Sequence, residues 1–347
     1  MPDIITIGSA TVDVFVRCDD ANIVSVCSTD KKSEFMSYPY GSKIDITNFD
    51  STVGGGGVNT AVNFANLGYS TGAIFKIGDD IYSKGVLAGV QNKNIDLSNI
   101  IQDKNISTGF SIILVSFQGD RTVLAHRGAN AQIKKSEINF DALKDAKFIY
   151  IAPLNGDSNK VLEPIVDFAN ENDIKICFNA GTTSIRKGFN YLKRILEEAH
   201  VVVMNKEEAM MSTKIQVRPD TADKKYSCEK IHPDIVRMLE MLKTRTNQIV
   251  VITDGGNGAY AYDGKDFYCC PIFEGEVVST LGAGDAFAST FSASLSRTNM
   301  DILKSLMYAS VNSASVVSKF GATEGLLTFE EIEDKLSKHP EYTCVKL

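Results

Sequence analysis

The chain has 347 residues, 44% hydrophobic and 23% charged, with a formal charge of −7, and is expected to fold around a large core with ordinary water-soluble surfaces. The acidic balance argues against general nucleic-acid binding, and no run of about 18 apolar residues suggests a membrane span. The start, Met1-Pro2-Asp3-Ile4-Ile5-Thr6-Ile7-Gly8, lacks the basic segment and apolar core of a signal peptide, so a cytoplasmic location is expected.

In chain order, Ile4–Ile7 reads as a short strand ending at Gly8, with Asp13 soon after. Residues 14–52 lose helical periodicity and carry β-type segments and aromatics, which suggests a small β-rich excursion. Val53-Gly54-Gly55-Gly56-Gly57-Val58-Asn59 then opens a helical pattern (Val58, Ala61, Val62, Ala65) that Gly68 would cap. Gly72–Gly78 reads as one buried strand, and a helix is expected from Asp80 to about Asn92. Residues 107–126 give strand, Gly119-Asp120 turn and strand, a hairpin that could pair with the first excursion.

From residue 140 strands and helices alternate. Strands are expected at Phe148–Ala152, Ile174–Phe178, Val201–Met204 and Ile249–Thr253, with helices near 158–171, 187–198, 206–213 and 233–244. That alternation implies βαβ units and a mostly parallel sheet covered on both faces. Residues 214–232 read as a polar surface loop. A hairpin is expected around Asp263-Gly264, then helices at 301–318 and Phe329–Leu336. The seven cysteines have no zinc-type spacing, and adjacent Cys269 and Cys270 are expected to face opposite ways on a strand, without a redox role.

The most informative stretch is Thr280-Leu281-Gly282-Ala283-Gly284-Asp285-Ala286-Phe287. Small residues let the backbone approach a ligand. The free N–H groups of the following helix's first turn can hold an anion. Asp285, beside them, could take a proton from a hydroxyl. Donors for developing negative charge plus an adjacent base suit phosphoryl transfer to an alcohol, although an ordinary acidic helix start would read the same way. Other polar or glycine-rich groups follow strands: Gly78-Asp79-Asp80, Asn179-Ala180-Gly181, Asn205-Lys206-Glu207-Glu208 and Thr253–Gly258. Asn205 and Glu208 could hold a hydrated Mg2+ or form a helix capping box. Neither G-x-G-x-x-G nor G-x-x-x-x-G-K-[ST] occurs. The Gly54–Gly57 run is either a flexible turn or a backbone surface, Gly56 included, against a hydroxylated ligand, with Asn59 beside it.

These pieces in this order resemble the ribokinase, or PfkB, family of carbohydrate kinases over nearly the whole chain. Thr280–Asp285 is similar to the D-T-x-G-A-G-D signature and Gly54–Asn59 to G-G-x-x-x-N. Gly78-Asp79-Asp80, Asn205-x-x-Glu208 and Thr253-x-Gly255-x-x-Gly258 are weaker matches. The resemblance implies a three-layer α/β/α fold with a mostly parallel sheet. The core would comprise 1–13, 53–106 and 127–347, and a β lid 14–52 and 107–126. It implies Asp285 as base, Gly282, Ala283 and Gly284 as anion hole, and Asp13, Gly55 and Asn59 at the substrate. Asn205, Thr253, Gly255, Gly258, Gly321 and Ala322 would lie by ATP, with Glu208 organising Mg2+ through water. Ser279 replaces the family's usual Asp, which argues against potassium activation, and Gly56 replaces the Lys of many ribokinases, which weakens the case for ribose. A sugar kinase is the expected activity; a nucleoside kinase of the same superfamily and a non-catalytic ligand-binding protein are the alternatives. Arg17, Lys76, Arg121 and Arg127 are either contacts for an anionic substrate or solvated charge. Exposed lid strands could pair two copies into a homodimer.

Overall fold

The computed structural model describes residues 2–18, 20–27, 32–116, 121–217, 228 and 230–347. The expected turn at Gly119-Asp120 and the Pro219 segment lie outside these. Among the described residues, ten strands form one sheet in the order Val345–Lys346, Phe267–Cys270, Ala259–Tyr262, Ile249–Thr253, Val201–Asn205, Lys175–Asn179, Phe148–Ile151, Ile4–Ile7, Thr71–Ile74 and Ile95–Asp96. Pairing is parallel from Ile249–Thr253 to Ile95–Asp96 and antiparallel at the other end.

The near-continuous apolar runs have a direct cause: both faces of the sheet are covered. Val202, Met204, Val250 and Ile252 enter one core, with the helices Leu162–Glu171, Phe189–Leu196 and Pro233–Leu242. Their alternates Val201, Val203, Ile249 and Val251 enter the other. That second core takes residues from the helices Gly56–Asn66, Ala283–Arg297, Ile302–Val317 and Phe329–Ser337. The fold is therefore the expected three-layer α/β/α arrangement.

Some elements differ from the expectation. The helix expected at 187–198 forms as Phe189–Leu196, and an additional short helix, Thr182–Arg186, precedes it, divided from it by Gly188, whose φ of 97° leaves the helical region. The single strand expected at Gly72–Gly78 divides. Thr71–Ile74 stays in the main sheet, whereas Lys76–Gly78 pairs with Ile101–Asp103. Lys76 explains part of this local order. Its side chain is fully buried, with Nζ 2.7 Å from Glu137 Oε1, 3.0 Å from Asp103 Oδ2 and 3.1 Å from the Gln132 carbonyl oxygen. Burial works against its charge, but the two carboxylates outweigh it and hold the pKa above the ordinary lysine value. Lys76 is thus a structural ion pair, which corrects its reading as a candidate substrate contact.

The adjacent cysteines face opposite cores, and each is disulfide-bonded, Cys269 to Cys228 and Cys270 to Cys344. Partners 41 and 74 residues away in sequence leave no local spacing signal.

The two β excursions share a second sheet, in the order Arg121–His126, Gly109–Val115, Thr11–Arg17 and Asn48–Gly54. Thr11–Arg17 pairs parallel with Gly109–Val115 and antiparallel with Asn48–Gly54. Asn22–Cys27 and Lys32–Ser37 form a separate hairpin pair. Asn130, buried, ties down the junction between the sheets: its amide donates to the Ala10 carbonyl at 2.7 Å and accepts from the Ala10 N–H at 2.9 Å.

Candidate functional site

The helix Ala283–Arg297 begins at Gly282, whose φ of 78° is left-handed and favours glycine. A Cβ there would lie 2.7 Å from the Ala322 backbone, so Gly282 also permits close packing. The first-turn N–H groups have no intrahelical acceptors and open toward the site. Asp285 sits in that turn. Its Oδ2 accepts a hydrogen bond from Asn59 Nδ2 at 2.8 Å, joining two residues 226 apart in sequence. Burial raises the Asp285 pKa; the Asn59 bond opposes this and the charge of Asp13 adds to it.

Behind this pair, a buried amide network locks the helices together. Asn63 Nδ2 donates to Ser289 Oγ at 2.7 Å and Thr290 Oγ1 at 2.9 Å, and Asn312 Nδ2 donates to Asn63 Oδ1 at 3.0 Å. It fixes the Gly56–Asn66 helix on the Asp285 helix, a positioning role that isolated asparagines in the sequence do not reveal.

The glycine run has a more specific use than a flexible turn. Gly57 N–H donates to the Ser9 carbonyl at 2.9 Å, and Gly56 N–H to Ser9 Oγ at 3.1 Å. Gly55, at φ 96°, and Gly57 let this backbone lie on Gly8–Ala10, where a Cβ would come within 3 Å of other backbone. Gly55 therefore packs on the protein's own chain. Gly56 is the member facing the site: a Cβ there would be 3.5 Å from Asp285 Oδ1.

Asp13 lies on the second sheet, paired across it with Thr52 and Ser111, so all three share one face. Burial raises its pKa, against lowering hydrogen bonds from Ser111 and Thr11. Gly54 leaves it room, since a Cβ there would lie 2.3 Å from Asp13 Oδ2. Thr52 Oγ1 and Asn59 Oδ1 are buried with no hydrogen-bond partner in the described structure. Two orphaned acceptors beside a buried carboxylate make a socket suited to hydroxyl groups. Thr52 and Ser111 carried no sequence signal of their own; their register opposite Asp13 reveals them.

On the other side of the Gly282–Asp285 turn lies a cavity of about 660 Å³, lined by Asn205, Thr253, Gly255, Gly258, Ala283 and Gly284 among others. Four of the residues expected at the nucleotide thus meet there. Gly258 is held against the facing strand: its φ is 91° and a Cβ would be 2.1 Å from the Cys270 carbonyl oxygen. Phe273, Phe287 and Val317 supply apolar walls that sequence reasoning missed. Gly321 and Ala322 do not line this cavity. Ala322 backs Gly282, and Gly321 lies beside Thr52 of the second sheet.

Asn205 and Glu208 form a reciprocal capping box: Glu208 N–H donates to Asn205 Oδ1 at 2.8 Å and Asn205 N–H to Glu208 Oε2 at 3.0 Å. Burial pushes the Glu208 pKa up to about 7, with Glu207 and Asp285 contributing and the Asn205 N–H opposing. A cation beside it would favour the ionised form, and only one of its oxygens is committed to the cap, so the carboxylate fits a metal held through water. The capping and metal readings are therefore compatible. Lys206 is paired with Asp254. Ser279 Oγ accepts from Leu281 N–H at 3.3 Å, inside the loop itself. Of the candidate arginines, Arg127 is exposed beside the second sheet, while Arg121 Nη2 donates to Thr280 Oγ1.

Among the described residues no helix is long and apolar enough to cross a membrane. The chain is 26% identical over 301 residues to 5-dehydro-2-deoxygluconokinase of Bacillus licheniformis, covering 83% of this chain and 88% of the relative. Its fold is shared with Arabidopsis thaliana ribokinase complexed with ribose and ATP, at a TM-score of 0.75 and 18% identity over 96% of this chain and 98% of that one. It is shared equally with a Methanocaldococcus jannaschii nucleoside kinase, at 0.74 and 19% over 97% and 99%. The description of the family whose model matches residues 18–328 is pfkB family carbohydrate kinase, and the chain belongs to that family, as its motifs implied.

Proposed function

We propose that this carbohydrate kinase transfers the γ-phosphoryl group of ATP to a hydroxyl of a monosaccharide or sugar derivative. The observation that carries the reading is Asp285. It is oriented by Asn59 between a polar socket suited to hydroxyl groups (Asp13, Thr52, Asn59) and a cavity large enough for a nucleotide. Asp285 takes the proton of the acceptor hydroxyl. That oxygen bonds to the γ-phosphorus as the bond to the departing ADP oxygen breaks, and the proton stays on the carboxylate. Gly282, Ala283 and Gly284 direct backbone N–H groups at the charge that develops. Thr253, Gly255, Gly258 and Asn205 bound the nucleotide. Glu208 would hold Mg2+ through water, and the metal would supply charge neutralisation on the phosphates. The four-stranded sheet acts as the lid over the acceptor and limits transfer to water.

Asp285→Asn should lower turnover by roughly 10³- to 10⁴-fold, with ADP affinity nearly unchanged in calorimetry. Turnover near wild type would end this assignment. The kinship to a 5-dehydro-2-deoxygluconokinase makes a sugar acid the first acceptor to try. A nucleoside acceptor is the second reading. It is favoured by the Phe15–Phe320 ring pair, 4.2 Å between centroids, which borders a further cavity of about 250 Å³ under the lid sheet. A panel of ribose, fructose, 2-keto-3-deoxygluconate, adenosine and inosine separates the two. Exposed Phe49 and Leu124 on the lid's outer face support pairing of two copies, which sedimentation of the wild type and a Phe49→Lys variant would test.

A further inference from the structure

The lid reaches the phosphoryl end of the site through one side chain. Arg121 opens the edge strand Arg121–His126 and pairs with Val115, which in turn pairs with Arg17. Counting along the ladders by twos puts Arg121, Val123 and Ala125 on the face that carries Ser111 and Asp13, the face turned to the core. From there the guanidinium crosses to Thr280 Oγ1, two residues before the left-handed Gly282 that starts the anion loop.

The charge around that loop is unbalanced. The cavity beyond it is lined by Glu207, Asp254 and Glu276 but by no Lys or Arg among the described residues. Asp285 and Glu208 add two more carboxylates, close enough that the charge of each raises the pKa of Glu208 or Tyr150 nearby. Lys206, which follows Asn205, is engaged by Asp254. A phosphoryl group passing this point would meet backbone dipoles and a surplus of negative side chains. Arg121 is a cation bonded to the loop itself, and its partner is a neutral hydroxyl that takes one of five N–H donors. A planar guanidinium matches two oxygens of a phosphoryl group at once.

We propose that Arg121 is a catalytic residue of this kinase: a guanidinium carried by the lid sheet that binds the phosphoryl group in transfer, with Thr280 holding it in place beforehand. This rests on the kinase reading above. It also gives lid closure a chemical consequence. The cation is on the lid and the anion loop on the core, so the charge stabilising transfer is complete only when the two sheets meet.

The test uses the full chain and needs no identified sugar. Calorimetry would measure Mg2+-ADP binding with and without aluminium fluoride, a mimic of the transferring group, for wild type, Arg121→Ala and Arg121→Lys. Wild type should bind ADP at least tenfold more tightly with the fluoride. Arg121→Ala should keep ADP affinity within about twofold but lose that gain, and Arg121→Lys should keep part of it. Unfolding temperatures of the three should agree, because the side chain is exposed. An undiminished fluoride gain in Arg121→Ala overturns the proposal while leaving the kinase reading intact; so does an equal loss of ADP affinity, which would make Arg121 a ground-state nucleotide contact. Wild-type protein that binds no ADP overturns both. With an acceptor in hand, Arg121→Ala should lower kcat by about 10³-fold, and added guanidinium should restore part of it.

Discussion

The two sides of Asp285 are built from different materials. On the core side, the cavity proposed for the nucleotide has glycine backbone along part of its wall, at Gly255, Gly258 and Gly284, and Gly258 is held where a Cβ would strike the Cys270 carbonyl. On the lid side, the socket is shaped by side chains on strands: Asp13, Thr52 and Ser111. Backbone N–H donors are the same in every residue but proline, so a phosphate site made from them depends on where glycine is allowed. A socket made of side chains changes with each substitution. Chemistry common to the family would then sit on the core, and the choice of acceptor on the lid.

Three variants test this contrast. Asn59→Ala strikes the shared centre and should have the largest effect. It removes a charge-assisted hydrogen bond from Asp285 and should lower kcat roughly ten- to hundredfold. The Asn59 amide lowers the Asp285 pKa against the effect of burial. Its loss raises that pKa, and the base must be ionised to act. The acidic limb of the kcat profile should therefore move to higher pH; an unmoved limb would mean that Asn59 does not tune the base. Gly258→Ala strikes the backbone side. At φ 91° and with a Cβ 2.1 Å from the Cys270 carbonyl, it should lose about 1–3 kcal/mol of stability. ADP affinity should fall with it, while the acceptor KM stays. Thr52→Val strikes the lid side. Its hydroxyl is buried without a partner, so the loss should be nearly neutral for the melting temperature and should raise the acceptor KM by about three- to tenfold, with ADP binding unchanged. A Thr52→Val protein with weakened ADP binding, or Gly258→Ala with a changed acceptor preference, would erase the division.

The Cys228–Cys269 and Cys270–Cys344 bridges and the buried Lys76 show another side of the molecule. Each is a pairing of distant residues. Lys76 in an apolar strand run resembles a pocket cation until Asp103 and Glu137 are seen beside it. Adjacent cysteines on a strand must face opposite ways, which is legible; the partners they meet are not.

By itself the sequence determined the layers. Apolar runs such as Ile249–Thr253 must be buried on both faces, and the alternation of strands and helices supplies the cover. It also marked Gly282–Asp285 and Gly54–Asn59, because tight turns and helix starts leave local traces in composition. Tertiary structure alone decided that Asn59 holds Asp285, that Gly55 packs on the chain while Gly56 faces Asp285, that Thr52 and Ser111 join Asp13, and that Arg121 reaches Thr280. The reason is physical. Local preferences act over a few residues, whereas these contacts arise from the pairing of strands and the packing of helices whose separation along the chain carries no periodic signal.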